Sequence, residues 1–522
     1  MEELIREIGW EIFRRSKRHY GLRFQRALHP SEWFIRLLDR DEWTKVKILQ
    51  YTHTLPFIQK NPRKIVSLLG EYLADSRVLS AARIPAFLAD RLCRIPLFKR
   101  TFAPLFAAAV LGVVEGLVAR RFFAGETVQE ALSVIRKLKR KGQGVTVDVL
   151  GEMALCQEDT DRTIEEYLRL IGTGEADSLS VKLTNLYSEF HPAAREKTKS
   201  HVKAGLWKVL EKASEKGVSI TIDMEQYLYK EITLEVFLEL LEEGARSLSL
   251  AIQCYIPGET ERDLERIVRW GKDHPGARAG IRLVKGANWD FDMALAMRKG
   301  RPAPLYSEKA ETDLSFERNA RTLLENTDSV QAAFGTHNIR SMAAVMAWAR
   351  TLGVQRTAFE FQFLYGMIPQ EVVSALQEMG CRVRFYVPYG DLITGLAYLV
   401  RRLLENSANG SFLRALSYRR GSVERLLTAP HVDPADSGEG RRVPACRPGR
   451  LSAATSPICR SKIRHIGEGF VRRHPPTRSL EDEDLEQLPG ERNEYFYIPR
   501  GKGIVIVENP EIGREGVEEV IA

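Results

Sequence analysis

Of the 522 residues only six are cysteine, Cys93, Cys156, Cys254, Cys381, Cys446 and Cys459, and no two of them stand in a Cys-x-x-Cys spacing. That scatter offers neither a metal-ligand spacing nor a disulfide framework, so no metal site is expected and a reducing, cytoplasmic compartment fits. No GxGxxG turn follows any strand-like run, which argues against an open dinucleotide-binding sheet. A secretory leader is not expected either: MEELIREIGWEIFRRSKRHY mixes acids and bases without a continuous apolar centre and reads as an amphipathic helix. Long apolar runs are scarce. Residues 102–119, FAPLFAAAVLGVVEGLVA, approach membrane-spanning length between Lys99, Arg100, Arg120 and Arg121, but Pro104, Glu115 and the small residues suit a helix packed inside a soluble protein. Charge of one sign is also in short supply, since 77 Lys and Arg against 69 Asp and Glu leave +8. So mild a balance, with no recognition motif, leads us to expect no nucleic-acid partner.

What is present is ordinary globular composition, 44% hydrophobic and 28% charged, in a chain long enough for more than one domain. Residues 1–140 read as a helical arm. Beyond it, eight β-rich runs alternate with amphipathic helical stretches: VTVDVLGE (145–152), SLSVKLTNL (178–186), VSITIDME (218–225), SLSLAIQCY (247–255), AGIRLVKGA (279–287), AAFGTHN (332–338), AFEFQFLYG (358–366) and RVRFYVPYG (382–390). Eight β–α units predict an α/β fold, a closed (β/α)8 TIM-like barrel over 141–425. Such barrels place their chemistry at the C-terminal ends of the strands, and polar residues gather there: Glu152, Lys182, Asp223 with Glu225, Gln253, Arg282 with Lys285, Thr336 with His337, Gln362, and Tyr386. Residues 426–522 change texture to a Pro-, Gly-, Ser- and Arg-rich tract expected to be largely irregular, ending in NEYFYIPRGKGIVIV, which looks like a strand preceded by a loop.

A helix is predicted at 396–412, LAYLVRRLLENSANGSF, where Tyr398, Arg401, Arg402 and Glu405 share one face by three- and four-residue offsets. Leu396, Leu399, Val400, Leu403 and Leu404 cover much of the rest, so the polar stripe is narrow. Alone, that pattern describes a partly exposed helix with a local Arg–Glu pair. Its place after the eighth run allows its first half to approach the barrel mouth.

The strings SVKLTNLYS, ITIDMEQY, IRLVKGANWD, FGTHN, FEFQFLYGM and RFYVPYGDLITGLAYLVRRLLENSANGSFL occur in order, and over roughly 145–415 the chain resembles the flavin-dependent proline dehydrogenases, in particular the proline dehydrogenase portion of bifunctional proline-utilisation enzymes. The tail string resembles the opening of their aldehyde dehydrogenase module, which stops soon after it starts, so a second activity is not expected. The resemblance implies FAD at the barrel mouth and oxidation of L-proline to 1-pyrroline-5-carboxylate. It also implies a membrane quinone as electron acceptor at the inner membrane face, a separate pyrroline-5-carboxylate dehydrogenase as partner, and a homo-oligomer.

The same resemblance implies roles for single residues. Asp223 and Arg282 are the catalytic candidates, with Asp223 orienting Arg282 or Lys182. Lys182, Arg401 and Arg402, with Tyr398 on the same face, would hold the proline carboxylate, because a guanidinium fork matches a planar carboxylate. Glu405 would be their counterion and border the cofactor, while Leu364 and Tyr386 would wall the ring. Met224, Gln253, Arg282, Val284, Lys285, Gly286, Lys309, Thr312, Thr336 and His337 would contact FAD. One departure is Asn288, where the family commonly carries an aromatic. Two other readings compete: a Schiff-base aldolase using Lys182 or Lys285, and a non-catalytic remnant that binds neither flavin nor proline.

Overall fold

The computed structural model describes residues 1–21, 61, 64–65, 68, 122–151, 153–299, 301–390 and 421–431, with three short strands at 486–487, 495–497 and 504–506. The chain forms two compact units, 1–443 and 444–522. In the first, all eight runs are strands: β1 (Gly144–Val149), β2 (Ser178–Val181), β3 (Ser219–Ile222), β4 (Leu248–Gln253), β5 (Ala279–Val284), β6 (Val330–Gly335), β7 (Glu360–Leu364) and β8 (Arg382–Tyr389). Each pairs in parallel with the next and β8 closes on β1, giving the expected barrel. All eight runs extend past the C-terminal ends of their strands into the turns that follow.

Helices alternate with the strands. α1 (Glu2–Gly21) and α2 (Val128–Lys139) precede β1; α3 (Gln157–Gly172), α4 (Arg195–Lys216), α5 (Lys230–Glu242) and α6 (Glu259–Asp273) follow β1 to β4 in turn. β5 is followed by two, α7 (Trp289–Arg298) and α8 (Lys309–Glu325); α9 (Ile339–Leu352) and α10 (Gln370–Glu378) follow β6 and β7, and α11 (Gly421–Leu427) comes after β8. Thr127 starts α2 with a reciprocal cap, its hydroxyl accepting from Glu130 N–H while the Glu130 carboxylate accepts from Thr127 N–H.

Register separates the two faces of the barrel wall. Thr146 pairs with Ser178, Ser180 with Thr221, Thr221 with Ser249 and Ser249 with Gly280; further round, Arg282 pairs with Ala333 and Glu360 with Arg382. Register partners share a face, so this small and polar set lines the lumen. The lumen is tight: a Cβ on Gly280 would lie 2.0 Å from Ser249 Oγ. The intervening residues Val147, Leu179, Ile220, Leu250, Ile281, Phe334 and Phe361 face the helices and are buried. This outer face is the main apolar core.

α1 joins that core. Ile5, Ile8, Ile12 and Phe13 recur at helical spacing and are buried against α9 and α10. Arg340 on α9 ties four helices together, pairing with Glu317 of α8 at 3.0 Å and Glu2 of α1 at 2.7 Å and donating to Leu427 O of α11 at 2.9 Å. Gly9 lets α1 approach α11, since a Cβ there would stand 2.4 Å from Leu427 Cδ2. The apolar stretch 102–119 lies outside the described residues, and no described helix is long and apolar enough to cross a membrane. In the second unit β9 (Glu486–Gln487), β10 (Tyr495–Tyr497) and β11 (Ile504–Ile506) form an antiparallel sheet with β10 in the middle.

Candidate active site

The C-terminal ends of the strands open on one cavity of about 900 Å³. At its base, Asp223, just past β3, accepts hydrogen bonds from Ser180 Oγ at 2.6 Å, Arg282 Nη1 at 2.5 Å and Tyr386 OH at 2.8 Å. Arg282 is buried on β5, donates through Nε to Gln362 Oε1 at 2.7 Å, and lies 5.2 Å from the centre of the Tyr386 ring. Gln362 in turn donates to Glu360, which is paired with Arg384, so a polar chain runs across the lumen from β2 to β8. With three donors on one carboxylate, the geometry of Asp223 is that of an anchor for Arg282.

Lys182, the residue after β2, pairs with Asp148 of β1 at 2.6 Å. Burial works against the Lys182 charge, but the carboxylates of Asp148 and then Asp223 more than offset it and hold the ammonium above the usual lysine range. Beside them, burial pushes the Glu225 carboxyl up, opposed by the Thr184 hydroxyl that donates to it at 2.9 Å.

The opposite wall is built by β5, β6 and α8. Lys285 lies 2.5 Å from Asp313, which also accepts from Lys309 one helical turn earlier. Burial lowers the Lys285 pKa despite the Asp313 charge. Gln253 Nε2 donates to Glu225 O and its Oε1 accepts from Ala287 N–H, bracing the turns after β3 and β5. Gly286 has φ +135°, and a Cβ there would strike the Tyr255 ring, so backbone conformation and crowding both require glycine. His337 Nε2 accepts from Leu364 N–H at 3.1 Å, tying the β6 turn to the end of β7.

All the described residues singled out from the sequence line this cavity: Lys182, Leu364 and Tyr386; Asp223 and Arg282; and Met224, Gln253, Val284, Lys285, Gly286, Lys309, Thr312, Thr336 and His337. Asn288 lines it as well. Tyr398, Arg401, Arg402 and Glu405 lie outside the described residues, as does Glu152. Sequence reasoning missed Asp148, Ser180 and Asp313. The signals were there: Asp148 and Ser180 occupy inward positions of strands already assigned, and Asp313 stands four residues from Lys309.

A flavin fits this cavity by its donor set. Arg282 Nη2 is buried without a hydrogen-bond partner among the described residues, and an orphaned guanidinium N–H calls for an acceptor. Lys285 and Lys309 add positive charge along the same wall, where an anionic cofactor would lie.

The proline dehydrogenase family model matches residues 131–415. "Bifunctional protein PutA" of Klebsiella aerogenes is 31% identical over 337 residues, which cover 60% of this chain and 25% of that protein. "Proline dehydrogenase 1" of Bacillus subtilis (strain 168) is 31% identical over 301 residues, 57% of this chain and 89% of the relative. The crystal structure of proline utilization A from Bdellovibrio bacteriovorus inactivated by N-propargylglycine superposes with a TM-score of 0.70 at 29% identity, over 90% of this chain and 48% of that one. The chain thus spans about a quarter of the length of the bifunctional relatives it matches.

Proposed function

The chain belongs to the proline dehydrogenase family, and we propose that it oxidises L-proline to 1-pyrroline-5-carboxylate with FAD held at the barrel mouth. The observation that carries this reading is convergence: residues spread from 182 to 386 line a single cavity floored by the Asp223–Arg282 pair. In this reading the catalytic unit is 141–425, with a helical arm over 1–140 and a tail over 426–522.

When bound, FAD supplies a two-electron acceptor for the C5–N bond of proline. Lys182 binds the substrate carboxylate by a charge-assisted hydrogen bond, joined on the family pattern by Tyr398, Arg401 and Arg402, with Glu405 as counterion. Leu364 and Tyr386, register partners on β7 and β8, wall the ring and restrict how it lies. Arg282 brings to the cavity a buried cation with an N–H unpartnered among the described residues, which favours electron density arriving there. Met224, Gln253, Val284, Lys285, Gly286, Lys309, Thr312, Thr336 and His337 surround the cofactor. Reoxidation by a membrane quinone at the inner membrane face, a separate pyrroline-5-carboxylate dehydrogenase and homo-oligomerisation rest on the family resemblance.

The aldolase alternative needs a neutral nucleophilic amine. Lys182 is held charged by Asp148, and Lys285, although its pKa is lowered by burial, is engaged by Asp313. Purified protein is expected to be yellow, to bleach with L-proline, to cycle with a dye acceptor, and to be inactivated by N-propargylglycine as the Bdellovibrio protein is. Colourless protein that cannot be reconstituted with FAD overturns the proposal.

A further inference from the structure

We infer that Asp148 is a positioning residue for substrate: it fixes the Lys182 ammonium in place, and the proline carboxylate binds to the donors which that pair leaves free. This rests on the proposed proline-oxidising function for the identity of the ligand. Nothing in the chain's motifs marks Asp148; the barrel geometry does.

Asp148 points into the lumen from β1 with its side chain 2% exposed, while the Lys182 side chain is 23% exposed and lines the cavity. Both residues line the cavity, the acid the more deeply buried and the cation the more open to a ligand. Among the described residues Asp148 is the only acid within ion-pair distance of Lys182. Asp223, the next carboxylate, is occupied by Arg282, Ser180 and Tyr386. An ammonium carries three donors, and one of them goes to Asp148 at 2.6 Å. Among the described residues nothing else accepts from the rest, so they can meet an incoming carboxylate with their direction already set and less ordering is needed on binding.

The charge state of Lys182 depends on the same neighbour. Among the described residues the groups around it are Asp148 on β1, Asp223 and Glu225 after β3 and Tyr167 on α3, with Arg282 on β5 and Tyr386 on β8 lining the same cavity. Burial favours loss of the proton, and Asp148, whose own carboxyl burial pushes up against the opposing Lys182 charge, is the strongest influence retaining it. Without Asp148 the ammonium would deprotonate at lower pH and bind a carboxylate less well as pH rises.

The test compares full-length wild type, Asp148→Asn, Lys182→Met and the double variant. The readouts are L-proline kinetics between about pH 6.5 and 9.5, spanning the range where a weakened lysine titrates, and calorimetric binding of cyclopentanecarboxylate, which keeps ring and carboxylate and lacks the amine. For Asp148→Asn, KM and the analogue Kd are expected to rise about tenfold at neutral pH, with kcat changed less than about threefold. The deficit should widen above about pH 8 as the lysine loses its proton. In the Lys182→Met background the Asn substitution should cost less than about twofold, because its effect passes through the lysine. Wild-type KM, Kd and pH profile in Asp148→Asn overturn the inference, as do additive losses in the double variant. Should the single Asn variant fail to fold, Lys182→Met against the double variant still decides, since together the two substitutions remove both buried charges. Wild-type protein that neither oxidises L-proline nor binds the analogue overturns the functional reading and this inference with it; wild-type binding with an indifferent Asp148→Asn overturns the inference alone.

Discussion

The two faces of the barrel wall are made by the same strands and obey opposite rules. Outward, Phe334, Phe359 and Phe361 pack edge to face with ring centres 5.6 and 5.7 Å apart, in an apolar layer shared with the surrounding helices. Inward, where barrels of this class usually stack branched apolar side chains, Asp223, Arg282, Gln362, Glu360 and Arg384 form one hydrogen-bonded chain. The outer face therefore carries most of the burial energy, while the inner face holds charges at fixed positions at a cost in desolvation. A lumen assembled this way is a scaffold for a site, and its stability comes from elsewhere in the fold.

Substitutions on the two faces should accordingly separate stability from turnover. The largest effect is expected for Phe361→Ala, a fully buried outward ring whose loss costs about 3–5 kcal/mol in urea unfolding. The fraction that stays folded should keep its KM for L-proline within about twofold, as a cavity far from the reacting atoms permits. Lost turnover at unchanged stability would break the division. Arg282→Lys keeps the cation but loses the Nε and Nη1 fork that bridges Gln362 and Asp223, and kcat is expected to fall about 10²- to 10³-fold. Its thermal midpoint should move far less than that of Phe361→Ala; the reverse ranking would show the lumen pair to be structural.

A third test lies on α7, apart from both faces. Asp292 on α7 is buried, accepts from Tyr227 N–H at 3.2 Å and Tyr255 OH at 3.4 Å, and is pushed up by burial to about 6. The folded protein therefore binds this proton more tightly than the unfolded chain, so the contribution of Asp292 to stability falls as pH rises from about 4 through about 6. In calorimetric melts Asp292→Asn should gain on wild type by a few degrees over that window; parallel curves would exclude the linkage. The smallest effect is expected for Tyr386→Phe, which keeps the ring and removes one donor from Asp223: about three- to tenfold in kcat/KM, with unfolding unchanged.

How much of this was legible beforehand depends on the range of the interaction involved. The alternation in VTVDV and RVRFYV announced strands, and eight such runs separated by helical stretches announced the barrel. Strand ends then placed Lys182, Asp223, Arg282 and Tyr386 at one mouth. The family resemblance added the set proposed to face the cofactor, down to Lys309 and Thr312, whose described members all line the cavity. α1 was read as a helix, but its docking on α9 through Arg340 was not, because Glu2 and Arg340 are joined only by the fold.

Local periodicity, then, determined the order of strands and helices and the face each residue occupies, since a strand's side chains alternate whatever surrounds it. Which acid answers which cation was decided by the closed sheet alone. Two orientations were open for Asp223, toward Lys182 or toward Arg282. The register around the lumen gave it to Arg282 and set Asp148 against Lys182. Ion pairing is a matter of a few ångströms between side chains: residues 148 and 182 come within that distance when β1 pairs with β2, and 223 and 282 when the strands bearing them are brought together in the closed barrel.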